Sequence, residues 1–213
     1  MSTPRGNFFR RGVMVAAALV VFGARPVSAA ELLIERTIMP EAAPSSFAIG
    51  FPNGVSMCYD PVRGGVDYAW AGGFVDIAPV RPDMGKLIKP VTLRGPVLYR
   101  EQGAAPLRRG DPTRKPVVVF KGYRLHGEAI EFLYTVDGLA VREEVRARPQ
   151  GDGLIRRFRI EATADSRWWY LPGQTEGAVV KAATGEMEAG GFRFDPAAAR
   201  DFTLEIVFQK KQP

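Results

Sequence analysis

The sequence has one cysteine and one histidine among its 213 residues, Cys58 and His126. A single cysteine cannot form an internal disulfide, and these two residues together cannot build a Cys/His zinc cluster. Covalent attachment of c-type haem needs a Cys-x-x-Cys-His motif and is excluded as well. We therefore expect neither a metal site nor a cofactor, and we expect Cys58 to be buried and unreactive.

The first 30 residues contain no acidic residue. The pair Arg10-Arg11 precedes an uncharged apolar run from Val13 to Phe22, and small residues follow at positions 28–30, a layout typical of a secretory signal peptide. The run is shorter than the roughly 20 residues that cross a bilayer. We predict a signal peptide over residues 1–30, cleaved just before Ala30 or Glu31, and a periplasmic or secreted chain without a transmembrane segment. An uncleaved membrane anchor is the alternative.

The mature chain also lacks a strong net charge. Four arginines and no acidic residue leave with the signal peptide, so the charge of the whole chain falls from +6 to 6 − 4 = +2. A nearly balanced chain has no strong electrostatic reason to bind a polyanion. We therefore predict no nucleic-acid partner.

A 3.6-residue apolar period is missing from the mature chain, which predicts little helix. Apolar and polar residues instead alternate in short segments that are punctuated by 23 glycines and 17 prolines. In the clearest case Ile130 to Val136 alternate before an Asp137-Gly138 turn, and Leu139 to Arg148 alternate after it, which predicts a β-hairpin. Further strands are predicted at 47–51, 55–60, 66–70, 97–100, 117–120, 154–163 and 202–208.

These strands predict a single all-β domain over residues 31–213. We expect an antiparallel two-sheet β-sandwich with little helix, of which the galactose-mutarotase-like fold is one form. A closed β-barrel is the alternative. The continuous apolar run Val117 to Phe120 predicts a strand that is buried on both sides. We expect a long loop over residues 81–96.

Several motifs resemble a domain of large bacterial periplasmic proteins. They are Phe51-Pro-Asn-Gly54, Met57-Cys-Tyr-Asp60, Tyr68-Ala-Trp-Ala-Gly-Gly-Phe-Val-Asp76, Arg109-Gly-Asp111, Phe120-Lys-Gly-Tyr-Arg124, Phe132-Leu-Tyr-Thr-Val-Asp-Gly138 and Arg157-Phe158. Those proteins join a sugar-dehydrogenase-like β-propeller to c-type cytochrome modules, and the domain itself has no assigned chemistry. The resemblance covers residues 47–162 and implies a periplasmic β domain beside sugar oxidation and electron transfer. This chain has neither a propeller's length nor a haem motif, so it cannot perform that oxidation itself.

Trp70 and Asp76 are candidate carbohydrate ligands. An indole stacks on the apolar face of a pyranose while a carboxylate accepts hydrogen bonds from its hydroxyls. The alternative is a strand bent at Gly72-Gly73 with Trp70 in the core.

Trp168 and Trp169 belong to the densest aromatic segment, Arg167-Trp-Trp-Tyr-Leu-Pro172. A strand sends the two indoles to opposite sides, so one of them is a candidate binding surface for a glycan or a protein. The alternative is that packed sheets or loops cover both sides and that both rings are core residues.

Tyr123, Arg124 and His126 are the remaining candidate ligands, next to a turn at Gly127. A histidine near Glu128 could act as a general base, although a solvated loop histidine is the simpler interpretation. No catalytic residue is assigned.

The leading hypothesis is an exported, non-catalytic β-sandwich module that binds a carbohydrate, or a periplasmic dehydrogenase or c-type cytochrome. The first alternative is a sugar-active lyase, epimerase or hydrolase that uses His126, Asp76, Glu128 and Arg124 as acid-base groups. An enzyme predicts that His126 and at least two of the other three converge in one cleft. The second alternative is a structural subunit of an envelope complex.

Overall fold

The computed structural model describes residues 31–80, 88–161, 166–188 and 190–209. Within these ranges the chain forms eighteen strands, two 3-10 turns at Ala78–Val80 and Ala198–Arg200, and no α-helix. The strands are β1 (Leu33–Arg36), β2 (Phe47–Gly50), β3 (Val55–Asp60), β4 (Gly65–Ala71), β5 (Val75–Asp76), β6 (Thr92–Leu93), β7 (Val97–Gln102), β8 (Leu107–Arg109), β9 (Val118–His126), β10 (Ala129–Val136), β11 (Leu139–Ala147), β12 (Gly153–Ile160), β13 (Trp168–Tyr170), β14 (Gln174–Glu176), β15 (Ala178–Ala182), β16 (Glu186–Glu188), β17 (Gly191–Phe194) and β18 (Asp201–Phe208). The predicted signal peptide lies outside the described residues.

All strand pairs are antiparallel, and three sheets build the fold. Sheet 1 has the order β1-β2-β3-β4-β7-β14, sheet 2 the order β15-β18-β12-β11-β10-β9, and sheet 3 the order β16-β17-β13-β8. Strands β5 and β6 form a separate pair. The predicted all-β class and antiparallel sandwich are confirmed. No described helix has the length and apolar character needed to span a bilayer.

The hairpin of β10 and β11 forms where the alternation of apolar residues predicts it. Asp137 and Gly138 both have positive φ, 50° and 83°, the type I′ geometry that matches the twist of the flanking strands. Strand β12, at the position of the strand predicted over residues 154–163, then pairs with β11. The last predicted positions of that third strand, 162 and 163, lie outside the described residues.

The main core lies between sheet 2 and the inner faces of sheets 1 and 3. Tyr59 of β3 stacks on Phe132 of β10 with ring centroids 3.6 Å apart, which joins sheets 1 and 2. Phe194 of β17 stacks on Phe202 of β18 at 4.0 Å, which joins sheets 3 and 2. Alternate residues of each strand therefore supply one continuous apolar interior.

A second, smaller core covers the outer face of sheet 1. Residues 37–46 and the segments around β5 and β6 fold over this face, so β2, β3 and β4 are buried on both sides. Its buried members are Met39, Ala48, Cys58, Tyr68, Trp70, Val75 and Val91. Burial is the main reason that the pKa of the Cys58 thiol rises to about 12, so the thiolate that reacts is scarce at neutral pH.

The structure corrects the prediction for residues 117–120. Residues 118–120 begin β9, which is an edge strand of sheet 2, and Val117, directly before the strand, is 63% exposed. A short apolar run has the same sequence pattern in a central strand and in an edge strand. Its burial depends on the neighbouring strands, which the run itself does not specify.

Candidate functional site

Trp70 lies in the second core and its indole is fully buried. Its Nε1 donates hydrogen bonds to the carbonyl oxygens of Gly73 (2.9 Å) and Phe74 (3.0 Å). Asp76 lies on β5 at the surface, where it accepts a hydrogen bond from the amide of Ala78 and pairs with Arg94 at 3.5 Å. The structure therefore has the alternative arrangement, in which the Trp70 ring is a core residue whose faces are covered.

Trp168 and Trp169 lie on β13, a central strand of sheet 3 between β17 and β8. Trp168 is fully buried in the main core. Trp169 points to the opposite side, is 7% exposed and donates from Nε1 to the carbonyl of Gly110 at 2.9 Å. Both sides of the strand are covered, so neither indole presents a stacking platform at the surface.

Arg124 and His126 lie on one face of β9, and both approach the carboxylate of Glu131 on β10. The distances to Glu131 Oε2 are 3.9 Å from Arg124 Nη1 and 3.6 Å from His126 Nε2. Arg159 of β12 approaches the other oxygen of Glu131 at 3.3 Å. Glu131 lies on the outer face of sheet 2, where these side chains cover it and leave it buried. The cluster is an ion-pair network on the outer face of sheet 2.

A cleft of about 660 Å³ opens at the end of the sandwich near His126. Three chain reversals meet there: the β2–β3 turn, the β9–β10 turn and the start of the β11–β12 loop. Its lining residues are Phe51, Pro52, Asn53, His126, Glu128, Ala129, Arg146, Ala147 and Pro149. The volume suits a small ligand, and we call this feature the end cleft.

The end cleft brings together only part of the proposed acid-base set. His126 and Glu128 line it, Arg124 is not among its lining residues, and Asp76 lies on the outer side of sheet 1. The convergence expected of an enzyme is not met.

Strand β9 and the residue directly before it carry the highest concentration of exposed large apolar side chains among the described residues. Four of the ten large apolar side chains that are exposed there lie within nine residues: Val117, Val119, Tyr123 and Leu125. We call these four the β9 surface. Val119 pairs with Thr135 on the outer side of the strand, whereas Tyr123 and Leu125 pair with Phe132 and Ile130 on the inner side. Tyr123 is held against the sandwich by an edge-to-face contact with Phe47 of β2, with centroids 5.6 Å apart. Clustered exposed apolar side chains mark interaction sites more often than scattered ones do.

A chain of buried charges crosses the main core, and no sequence motif predicts it. Arg63 pairs with Asp67 at 2.8 Å and with Glu101 at 3.0 Å. Arg156 lies 3.7 Å from the other oxygen of Glu101 and 2.6 Å from Glu143. The signs alternate from Asp67 to Glu143, so each guanidinium has a carboxylate on either side, which offsets part of the cost of burial.

Tyrosine hydroxyls complete this network. Tyr59 and Tyr134 each donate to Glu143 Oε2 at 3.1 Å, and Tyr99 donates to Glu101 Oε2 at 2.5 Å. Burial, followed by the charge of Glu143, raises the pKa of Tyr59 and Tyr134 well above the ordinary value, so both remain donors. Arg156 and Glu143 have no exposed surface. A substrate cannot reach this end of the network, which forms part of the core.

Alternation alone could have pointed to two members of the network. Glu143 lies two residues from Val141 and from Val145, and Arg156 lies two residues from Leu154 and from Phe158. Each therefore faces inward by period two. No group of three or more His, Cys, Asp and Glu side chains in the described ranges is placed to hold a metal ion.

Residues 57–143 match a family model described as "Domain of unknown function (DUF6797)". The match runs from β3 into β11 and lies inside the stretch 47–162 that carries the sequence resemblance, so a domain of unknown function is confirmed over these residues. The association with propeller and cytochrome modules stays a prediction. Comparison with curated proteins and with solved structures found no match.

Proposed function

We propose that this chain is an exported, non-catalytic binding module that docks onto a partner protein through the β9 surface. The predicted signal peptide supports a site of action outside the cytoplasm. The resemblance to periplasmic dehydrogenase and cytochrome assemblies supports a partner within such an assembly.

The observation that carries the proposal is the concentration of exposed apolar side chains along one edge of sheet 2. Tyr123 is 41% exposed and Leu125 is 50% exposed on the inner side of β9, and Arg124, between them in sequence, lies on its outer side. An exposed apolar cluster with an aromatic ring and an arginine matches the composition of protein-binding surfaces.

A protein partner fits these residues better than a glycan does. Of the four aromatic candidates, Trp70, Trp168 and Trp169 are buried, and Tyr123 alone presents its ring to solvent. One ring at a sheet edge is a small platform for a sugar. An edge strand of nine residues with apolar side chains on both of its flanks, by contrast, is long enough to contact another chain.

Site-specific photo-crosslinking in the native host tests the proposal. A benzoylphenylalanine placed at Tyr123 is expected to form an adduct with one defined protein, identified by mass spectrometry. The matched control is Val179, which has the same 41% exposure but lies on β15 at the opposite edge of sheet 2. The proposal is wrong if position 123 forms no adduct in the correctly localised protein, or if both positions form the same adducts.

A sugar site in the end cleft is the second candidate function. It is favoured by His126, Glu128 and Arg146 lining one cleft of about 660 Å³ beside apolar floor residues. A glycan array followed by calorimetry tests it, with His126→Ala and Arg146→Ala expected to abolish binding. Trp70→Phe is the control, because the buried indole is not expected to touch a ligand. An empty array, or binding that survives both cleft substitutions, would remove this candidate.

A further inference from the structure

Strand β9 is the longest edge strand of the described sheets, and its outer side has no strand partner within them. We propose that β9 binds an extended, acidic segment of the partner protein by strand addition to sheet 2. This inference rests on the proposed function, because it names how the β9 surface would hold its partner. Strand addition supplies backbone hydrogen bonds along the edge, and alternate side chains supply specificity.

The turn after β9 determines which backbone groups face outward. Gly127 has φ 58°, and Glu128 is not among the residues with positive φ, as in a two-residue type II′ turn. His126 and Ala129 flank this turn and pair with each other. Because hydrogen-bonded and non-hydrogen-bonded pairs alternate from there, Leu125 and Tyr123 direct their N–H and C=O groups away from β10.

The side chains around those backbone groups define the chemistry of the added segment. Tyr123 and Leu125 provide an apolar flank on the inner side of the strand, and Arg124, next to His126, provides a positive charge on the outer side. Strand β9 contains no acidic residue. Cross-strand pairing therefore favours a segment in which apolar residues alternate with aspartate or glutamate.

A second copy of this chain is a poorer occupant of the same edge. Antiparallel pairing of two β9 strands would place Lys121 and Arg124 of one copy near those of the other, and like charges across a sheet are destabilising. The register shift between Leu133 and Tyr134 also bends the first half of the edge. Charges and bulges of this kind prevent edge-to-edge pairing of identical chains.

Two synthetic peptides test the inference in an NMR titration of the purified ¹⁵N-labelled protein. One is a capped nine-residue peptide that alternates valine and glutamate, and its control alternates valine and lysine. We expect the glutamate peptide to shift the amide signals of Tyr123 and Leu125 most strongly, and the lysine peptide to leave them unchanged. Equal shifts with both peptides, or shifts confined to other strands, would overturn the inference.

The substitution Leu125→Pro removes one outward N–H, and proline is tolerated on an edge strand whose N–H faces solvent. Leu125→Ala is the matched control, because it shortens the same side chain and keeps the N–H. We expect Leu125→Pro to weaken peptide binding about tenfold more than Leu125→Ala does. Equal losses would contradict strand addition. If the crosslink at position 123 is nevertheless present, the proposed docking function stands and only its mode is wrong.

Discussion

Glu143 is the residue on which the buried network depends most directly. It accepts hydrogen bonds from Arg156, Tyr59 and Tyr134, and it has no contact with solvent. Replacing the carboxylate by a neutral amide leaves Arg156 charged inside the core with Glu101 at 3.7 Å as its remaining acidic neighbour among the described residues. A buried charge that loses its nearest partner is among the more costly defects in a folded protein.

We expect Glu143→Gln to lower the free energy of unfolding by about 3–5 kcal/mol. The matched control is Glu144→Gln, one residue away on the outer face, where the carboxylate is 27% exposed and lies 3.5 Å from Arg159. That substitution should cost less than about 1 kcal/mol. Urea unfolding of the two variants measures the difference, and equal losses would show that the network contributes no more than a surface ion pair.

Asp67 gives the network a pH dependence. Burial raises its pKa to about 6, and the attraction of Arg63 offsets burial only in part. The folded protein therefore binds a proton at this carboxyl more tightly than the unfolded chain does. The stabilisation is complete below the unfolded pKa, near 3.8, and is lost as the pH rises through about 6.

We expect wild type and Asp67→Asn to differ in how their stability changes between pH 4 and pH 7. Across this window the free energy of unfolding of the wild type should fall by up to about 3 kcal/mol relative to that of the variant. This figure follows from a pKa difference of roughly two units at about 1.36 kcal/mol each. Urea unfolding at several pH values measures it, and titration of the other carboxylates cancels in the comparison. A difference that is constant with pH would show that Asp67 titrates normally.

Single residues also show where sequence reasoning works and where it does not. Period two fixes the direction of a side chain, so the inward faces of β10 and β18 could be predicted from the sequence. It does not tell what covers that side chain. Trp70 and Trp169 are buried because residues distant in sequence fold over them, and Tyr123 is exposed because no described strand lies beyond β9.

At the scale of elements, the turn at Asp137-Gly138 sets the register of the β10–β11 hairpin. Gly138 has φ 83°, and a Cβ added there would meet no atom within 4 Å. Any cost of substitution is therefore conformational. We expect Gly138→Val to lower stability by about 1–2 kcal/mol, and Gly138→Asn to cost less, since asparagine tolerates positive φ. Thermal unfolding of both variants measures this, and equal losses would contradict the turn assignment.

Elements were predictable where turn chemistry and alternation agree, as in this hairpin. They were not predictable where position in the sheet decides burial. The apolar residues of β9 resemble those of a central strand, yet β9 is an edge. The order of strands in a sheet depends on pairings between distant segments, such as β7 with β14 and β12 with β18, and no local pattern encodes them.

At the scale of the whole molecule, export is the first condition for the proposed function. We expect the protein isolated from the periplasmic fraction to begin at Ala30 or Glu31, because small residues precede both positions. Intact-mass spectrometry of that fraction measures the start of the chain. An unprocessed chain that stays in the cytosol would contradict both the predicted leader and the proposed site of action.

We propose that the exposed edge at β9 holds a partner protein. Hydrogen–deuterium exchange of the protein, alone and with the partner identified by crosslinking, tests this most directly. We predict slower exchange over residues 117–126 when the partner is bound, and unchanged exchange over residues 178–182 at the opposite edge of sheet 2. Slower exchange confined to the end cleft or to β15, with residues 117–126 unaffected, would contradict the claim.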